Sequence, residues 1–165
     1  MELYESTTKI IDKEWLTDET FVLRLERNGF NFHSGQYVVL EKDDNSREYS
    51  LCNGLRDDYL EVLIRNIPAG SFTPLLAQLK KGDTLTLKGP LGFFVINAAE
   101  MEDHHYYFIA TGVGISPFLS FIKSYPDLDY TLLHGIRFDH EAYRSDQVPG
   151  ERKILCTSRD QTGDY

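Results

Sequence analysis

The sequence has little cysteine, no excess of positive charge and no long apolar run, and each shortage excludes a class of protein. Only two cysteines occur, Cys52 and Cys156. They stand far apart and form neither a disulfide framework nor a C-x-x-C pair, so both are expected to be buried thiols in a reducing compartment. Lys plus Arg number 17 against 26 Asp plus Glu, a net charge of -9. Nucleic acid and anionic membranes attract proteins through a positive field, so neither is an expected partner. No apolar segment reaches the roughly 20 residues of a membrane-spanning helix. Met1 is followed by Glu2 where a secretory leader carries basic and then apolar residues, so the expected location is the cytoplasm. His104, His105 and His140 lack metal-ligand spacing with any cysteine or carboxylate, and no Ser-His-Asp arrangement stands out. Repeats and low-complexity segments are missing too.

What is present is aromatic and strand-rich. Ten Phe and ten Tyr accompany 41% hydrophobic residues, enough for a globular core. From residue 1 to about 95 the pattern is of consecutive short strands. Phe21, Leu23 and Leu25 alternate with Val22, Arg24 and Glu26, a period of two. Further strands are expected over 35–40, 47–53, 59–66 and 84–88, with Asn28-Gly29 as a turn. One helix interrupts them: Gly70-Ser71-Phe72-Thr73-Pro74 opens it, Ser71 or Thr73 is a suitable cap, and Lys80-Lys81-Gly82-Asp83 closes it. Many short strands around a single helix predict an antiparallel β-barrel domain over 1–98.

Beyond residue 100 the pattern changes. Continuous apolar strands are expected at 106–110 and 130–134, with a third at 153–157. A helix should run to about Lys123 and a helical stretch from Asp139 to Arg144. Strand, helix, strand, helix, strand predicts a partial doubly wound parallel sheet over 104–165, joined by an acidic linker at 100–103. Three such strands are half of a usual nucleotide-binding sheet. No closing helix precedes Gly163-Asp164-Tyr165, which suggests a shortened form of a longer protein.

Five segments carry chemistry. Arg47-Glu48-Tyr49-Ser50 lies on a strand, so Arg47 and Tyr49 share a face while Ser50 points to the other. That offers a guanidinium for a pyrophosphate, a ring for stacking and a hydroxyl for hydrogen bonding; it also fits an ordinary exposed strand. Gly70 to Thr73 precede a helix, where free N–H groups attract anions or are simply capped. Thr111-Gly112-Val113-Gly114-Ile115-Ser116-Pro117-Phe118 follows a strand and opens a helix, the context of a dinucleotide turn with Pro in place of its third glycine. Arg137, after His134-Gly135-Ile136, and Thr157-Ser158-Arg159 put two arginines at one carboxyl edge, suited to the 2′-phosphate that separates NADP from NAD.

In this order the segments resemble the ferredoxin–NADP reductase family, and the bacterial ferredoxin or flavodoxin reductases in particular. The resemblance runs through nearly the whole chain. It implies an FAD-binding β-barrel followed by a pyridine-nucleotide domain. It implies that Arg47, Tyr49 and Ser50 hold the flavin with Ile64 and Arg65 beside it, and that Gly70, Ser71, Phe72 and Thr73 hold its pyrophosphate. Thr111, with Gly112, Val113 and Gly114, should lie between flavin and nicotinamide, with Tyr49, Ser50 and Thr111 at the reacting centre. Arg137, Ser158 and Arg159 should meet the adenosine 2′-phosphate. The implied activity passes a hydride from NADPH to FAD and electrons on to ferredoxin or flavodoxin. Family members continue with another arginine-bearing loop, a Cys-Gly segment and a terminal aromatic, none of which this sequence contains. The alternative is therefore a flavin-binding electron-transfer module without NAD(P)H turnover of its own.

Overall fold

In a computed structural model the described residues are 4–97, 101 and 103–160. Two sheets are present among them. The first has six antiparallel strands: β1 (Tyr4–Trp15), β2 (Thr20–Glu26), β3 (Tyr37–Lys42), β4 (Asn45–Ser50), β5 (Tyr59–Arg65) and β6 (Thr84–Leu91). Their order is β4-β3-β6-β1-β2-β5. The sheet curls until its two edge strands meet at a single bridge, Leu51 to Val62. Helix α1 (Thr73–Gln78) crosses between β5 and β6. Inside the curl, Ile10, Leu23, Leu40, Val62 and Leu87 form the core with the rings of Phe21 and Phe72.

Local chemistry explains the strands. Asp43 and Asp44 both take positive φ, 49° and 60°, which short polar side chains tolerate in a two-residue hairpin. That turn sets the β3–β4 register, placing Arg47 opposite Leu40 and Tyr49 opposite Val38. Asn28 and Gly29 also have positive φ, and make the expected turn. In β1 the register slips between Ile10 and Asp12, a bulge that shifts side-chain parity and hides the alternation.

The second sheet is parallel, in the order β7-β8-β9: β7 (Tyr106–Thr111), β8 (Tyr130–Ile136) and β9 (Lys153–Thr157). A 3₁₀ turn at Gly112–Ile115 leads into α2 (Ser116–Ser124), whose Leu119 and Phe121 pack under Phe108 and Leu132. The helix expected over 139–144 is instead a chain of 3₁₀ turns, Asp139–Glu141, Ser145–Gln147 and Gly150–Arg152. Arg144 at φ 55° and Pro149 interrupt it, since neither continues an α-helix. The continuous apolar run of β7 is not buried throughout. Tyr107 and Ile109 are each 70% exposed, because α2 covers only the opposite face. Among the described residues no helix is long and apolar enough to cross a membrane. Glu100 and Glu102 of the expected linker, and the terminal Gly163-Asp164-Tyr165, lie outside the described residues.

The two sheets share a junction rich in hydrogen bonds. Thr20 Oγ1 and Tyr143 Oη are 2.9 Å apart, the Ser120 hydroxyl donates to the Asn53 carbonyl at 2.8 Å, and the Ser34 hydroxyl donates to Ser124 Oγ at 2.7 Å. Val22 and Leu63, on the outer face of the curled sheet, are buried by α2 and its neighbours. At this junction Glu61 is 1% exposed and takes a hydrogen bond from Arg24 Nε at 2.8 Å. Lys123 Nζ lies 3.3 Å away on the other carboxylate oxygen, and Arg144 is at 4.0 Å. Burial alone would push the Glu61 carboxyl up, but Lys123, Arg24 and Arg144 outweigh it and hold it below the ordinary value.

Candidate functional site

Two hollows meet at the junction. The first, about 490 Å³, runs from β4 across to the glycine turn. Arg47, Tyr49, Ser50 and Thr73 line the barrel side, and Val113 and Gly114 line the other. The second, about 540 Å³, opens at the carboxyl ends of the parallel strands, where ligands of such sheets bind. Thr111, Gly112, Gly135, Arg137 and Ser158 are among its walls. Arg65 and Val113 line both hollows, so the two share one partition.

The hairpin register delivers the first hollow's key groups. Arg47 is exposed, with its guanidinium donating, among the described residues, only to the neighbouring Ser46 carbonyl at 2.6 Å. Tyr49 is held by Phe72, ring to ring at 6.4 Å. Burial pushes the Tyr49 phenol up to about 12, against the pull of Arg47. Its Oη is buried and has no hydrogen-bond partner among the described residues. The hydroxyl is enclosed and has no surface of its own in the hollow, so what Tyr49 offers a planar ligand there is its ring. Gly114 adds a second sign of fit: a Cβ there would meet nothing within 4 Å, so the backbone is bare toward the space. The residues present therefore suit a flavin with its phosphates.

Several expectations shift in detail. Ile64 is buried in the barrel core at 1% exposure, and the lining side chains beside it are Leu63 and Arg65. The N-cap of α1 is Phe72, without a side-chain cap. The Thr73 hydroxyl instead accepts the Ile67 N–H at 2.9 Å, bracing the loop before the helix. Phe72 itself turns into the core. Gly70 and Ser71 are exposed, but Ile67 and Thr73 line the hollow from this segment. Cys52 is buried as expected, whereas Cys156 is only half-buried and faces the second hollow.

At the sheet edge the two expected arginines do come together. The Arg159 N–H donates to the Arg137 carbonyl at 2.8 Å, and both guanidiniums lie near the Phe138 ring, at 6.0 and 5.9 Å. Arg137 is oriented by Glu141, which accepts its backbone N–H at 2.9 Å and pairs with its side chain. Glu141 is pulled to about 2: burial opposes the shift, and the bonds from Arg137 and Phe138 overcome it. The glycine turn is held from below by His134, whose Nε2 sits 2.9 Å from the Gly112 carbonyl. With Gly112 at φ +50°, only a residue without a side chain takes this conformation readily. His134 lies in the segment that ends with Arg137, whereas Glu141 belongs to none of the segments singled out, and the sequence carries no signal for its role.

Comparison with known proteins gives a consistent picture. The profile of the family described as Oxidoreductase FAD-binding domain matches residues 7–96. The chain is 31% identical over 152 residues to a ferredoxin–NADP reductase of Pseudomonas aeruginosa, covering 86% of this chain and 58% of that protein. It is 29% identical to the toluate 1,2-dioxygenase electron transfer component of Pseudomonas putida, covering 81% of this chain and 42% of that one. The chain thus spans about half the length of these relatives. A ferredoxin NADP+ reductase from Neisseria gonorrhoeae, crystallised with FAD and NADP, superposes with a TM-score of 0.85 at 24% identity, over 94% of this chain and 69% of that one.

Proposed function

This chain belongs to the oxidoreductase FAD-binding domain family, and on that premise we propose that it carries electrons from NADPH through FAD to a small one-electron carrier such as ferredoxin or flavodoxin. The observation that carries the reading is the shared partition: a hollow suited to a flavin and a hollow at a parallel-sheet edge, separated by Arg65 and Val113.

When bound, FAD supplies the redox chemistry, taking up two electrons together and releasing them singly. The protein supplies position and electrostatics. Arg47 binds the diphosphate, assisted by the backbone around Gly70, Ser71 and Thr73. Tyr49 forms a wall of the flavin hollow with its ring, and Ser50 holds the polar edge of the flavin. Thr111, at the end of β7, and the bare backbone of Gly112 and Gly114 admit the nicotinamide to the partition. Arg137, Ser158 and Arg159 bind the adenosine 2′-phosphate. No protein acid or base is consumed, because a hydride moves without a separate proton.

The likeness to reductase components as well as to ferredoxin reductases supports a one-electron acceptor and leaves its identity to experiment. Purified protein reconstituted with FAD should absorb blue light and bleach on addition of NADPH under nitrogen. A protein that stays colourless after FAD is added sinks the reading. The bare face of the parallel sheet at Tyr107 and Ile109 favours a second reading, a flavin module that relays electrons without NADPH turnover of its own. Steady NADPH oxidation with an artificial acceptor excludes it.

A further inference from the structure

Beside the sheet-edge hollow one carboxylate touches two of its lining arginines, Arg65 and Arg137. Glu19 Oε2 lies 3.0 Å from Arg65 and 3.5 Å from Arg137. Its backbone is fixed: the Asn66 N–H donates to the Glu19 carbonyl at 2.7 Å, and the Glu19 N–H donates to Thr17 Oγ1 at 3.2 Å. The carboxylate is therefore always close to this pair of cations. It is also easily parted from them. The side chains of Glu19, Arg65 and Arg137 are 54%, 42% and 32% exposed, and ion pairs open to water contribute little net energy.

The second carboxylate on Arg137 is different in kind. Glu141 is 9% exposed and is locked by backbone N–H groups as well as by the guanidinium. It orients Arg137 and does not leave. Glu19 has no such bonds to its carboxylate, so it is the removable partner. Arg137 and Arg159 both line the adjoining hollow that Glu19 overlooks, so a phosphate arriving there meets Glu19 directly.

We propose that Glu19 is a displaceable counter-ion, an internal stand-in for ligand phosphate that sets how tightly the sheet-edge hollow holds a phosphorylated nucleotide. The inference rests on the nucleotide reading given above. Its physical basis is competition. A ligand dianion must replace an attached carboxylate and then sit beside that carboxylate's charge, and both effects weaken binding without touching the ligand's own contacts. In a chain of net charge -9, the carboxylate also preserves the arginines from other anions. Selectivity for a well-placed doubly charged group over a single charge follows, because only the former repays the displacement.

The test is equilibrium titration of the full chain with 2′-phospho-AMP and with AMP, in the wild type and in Glu19→Gln. Asp44→Asn, at the remote β3–β4 turn, controls for the loss of one negative charge. Glu19→Gln should bind 2′-phospho-AMP roughly five- to tenfold more tightly, with the gain shrinking at high salt, as expected for partly exposed charges. The control should match the wild type. If the wild type prefers 2′-phospho-AMP to AMP while Glu19→Gln binds no more tightly, the counter-ion role is wrong and the nucleotide reading stands. If Asp44→Asn tightens binding as much as Glu19→Gln, overall charge is responsible and the counter-ion role is wrong. If neither the wild type nor Glu19→Gln binds 2′-phospho-AMP, both are overturned.

Discussion

Arg47→Ala is expected to weaken FAD binding by roughly 30- to 100-fold, the loss typical of a charge-assisted hydrogen-bonding group. The register of the β3–β4 hairpin puts this guanidinium at the mouth of the first hollow, on the same face as Tyr49. Among the described residues its guanidinium bonds only the adjacent Ser46 carbonyl. Among the described residues no carboxylate pairs with it, so a ligand phosphate would meet a cation already free of a partner. The change is on an exposed strand and should leave the fold intact. Arg47→Lys should recover part of the affinity, since it keeps the charge but not the planar fork. The measurement is quenching of flavin fluorescence on titration into apoprotein. Wild-type affinity in the alanine variant means the diphosphate is held elsewhere.

Glu61→Ala is expected to lower stability by about 3 kcal/mol, because removing the buried centre of an ionic cluster strips Lys123 of its carboxylate and leaves Arg24 and Arg144 with only their more exposed partners, Asp12 and Glu14. Arg24, Lys123 and Arg144 all converge on this carboxylate from different elements. Urea unfolding followed by tryptophan fluorescence gives the number; Trp15 is the single tryptophan. A loss under about 1 kcal/mol would show that the cluster is as replaceable as a surface pair. The effect has a defined pH dependence. The folded Glu61 carboxyl titrates below its ordinary value of 4.5. Its contribution is therefore fully present above that value and disappears as the pH falls through the lower, folded one. The gap between wild type and variant should narrow in acid.

Much of this architecture can be read from residue order. The alternation of Phe21, Leu23 and Leu25, the Asn28-Gly29 turn and the three apolar strands after residue 105 all mark elements that the structure contains. Arg47, Tyr49 and Ser50 do line one hollow, and Thr111, Gly112 and Arg137 another. Where the reading of the sequence departs, tertiary context overrides local preference. Ile64 follows Leu63 on a strand whose two faces are both covered, so hydrophobicity alone cannot say which of them faces a ligand. Phe72 displaces the expected polar caps of α1 because burying a ring beside Tyr49 gains more than one capping bond. Over 139–152, the carboxylate of Glu141 bonds backward to Arg137 and Phe138, which favours turns over a helix. Glu19 and Glu61 lie outside any motif, and only folding gives each its cationic neighbours.

The junction between the sheets has one further consequence. Thr20 with Tyr143, and Ser120 with Asn53 beside Ser34 with Ser124 on one turn of α2, fasten barrel to sheet at two places, with buried apolar side chains around them. Bonds at both places resist rotation of one part against the other. On the function proposed above, the separation between the two hollows is thereby set as the chain folds, without a swinging motion.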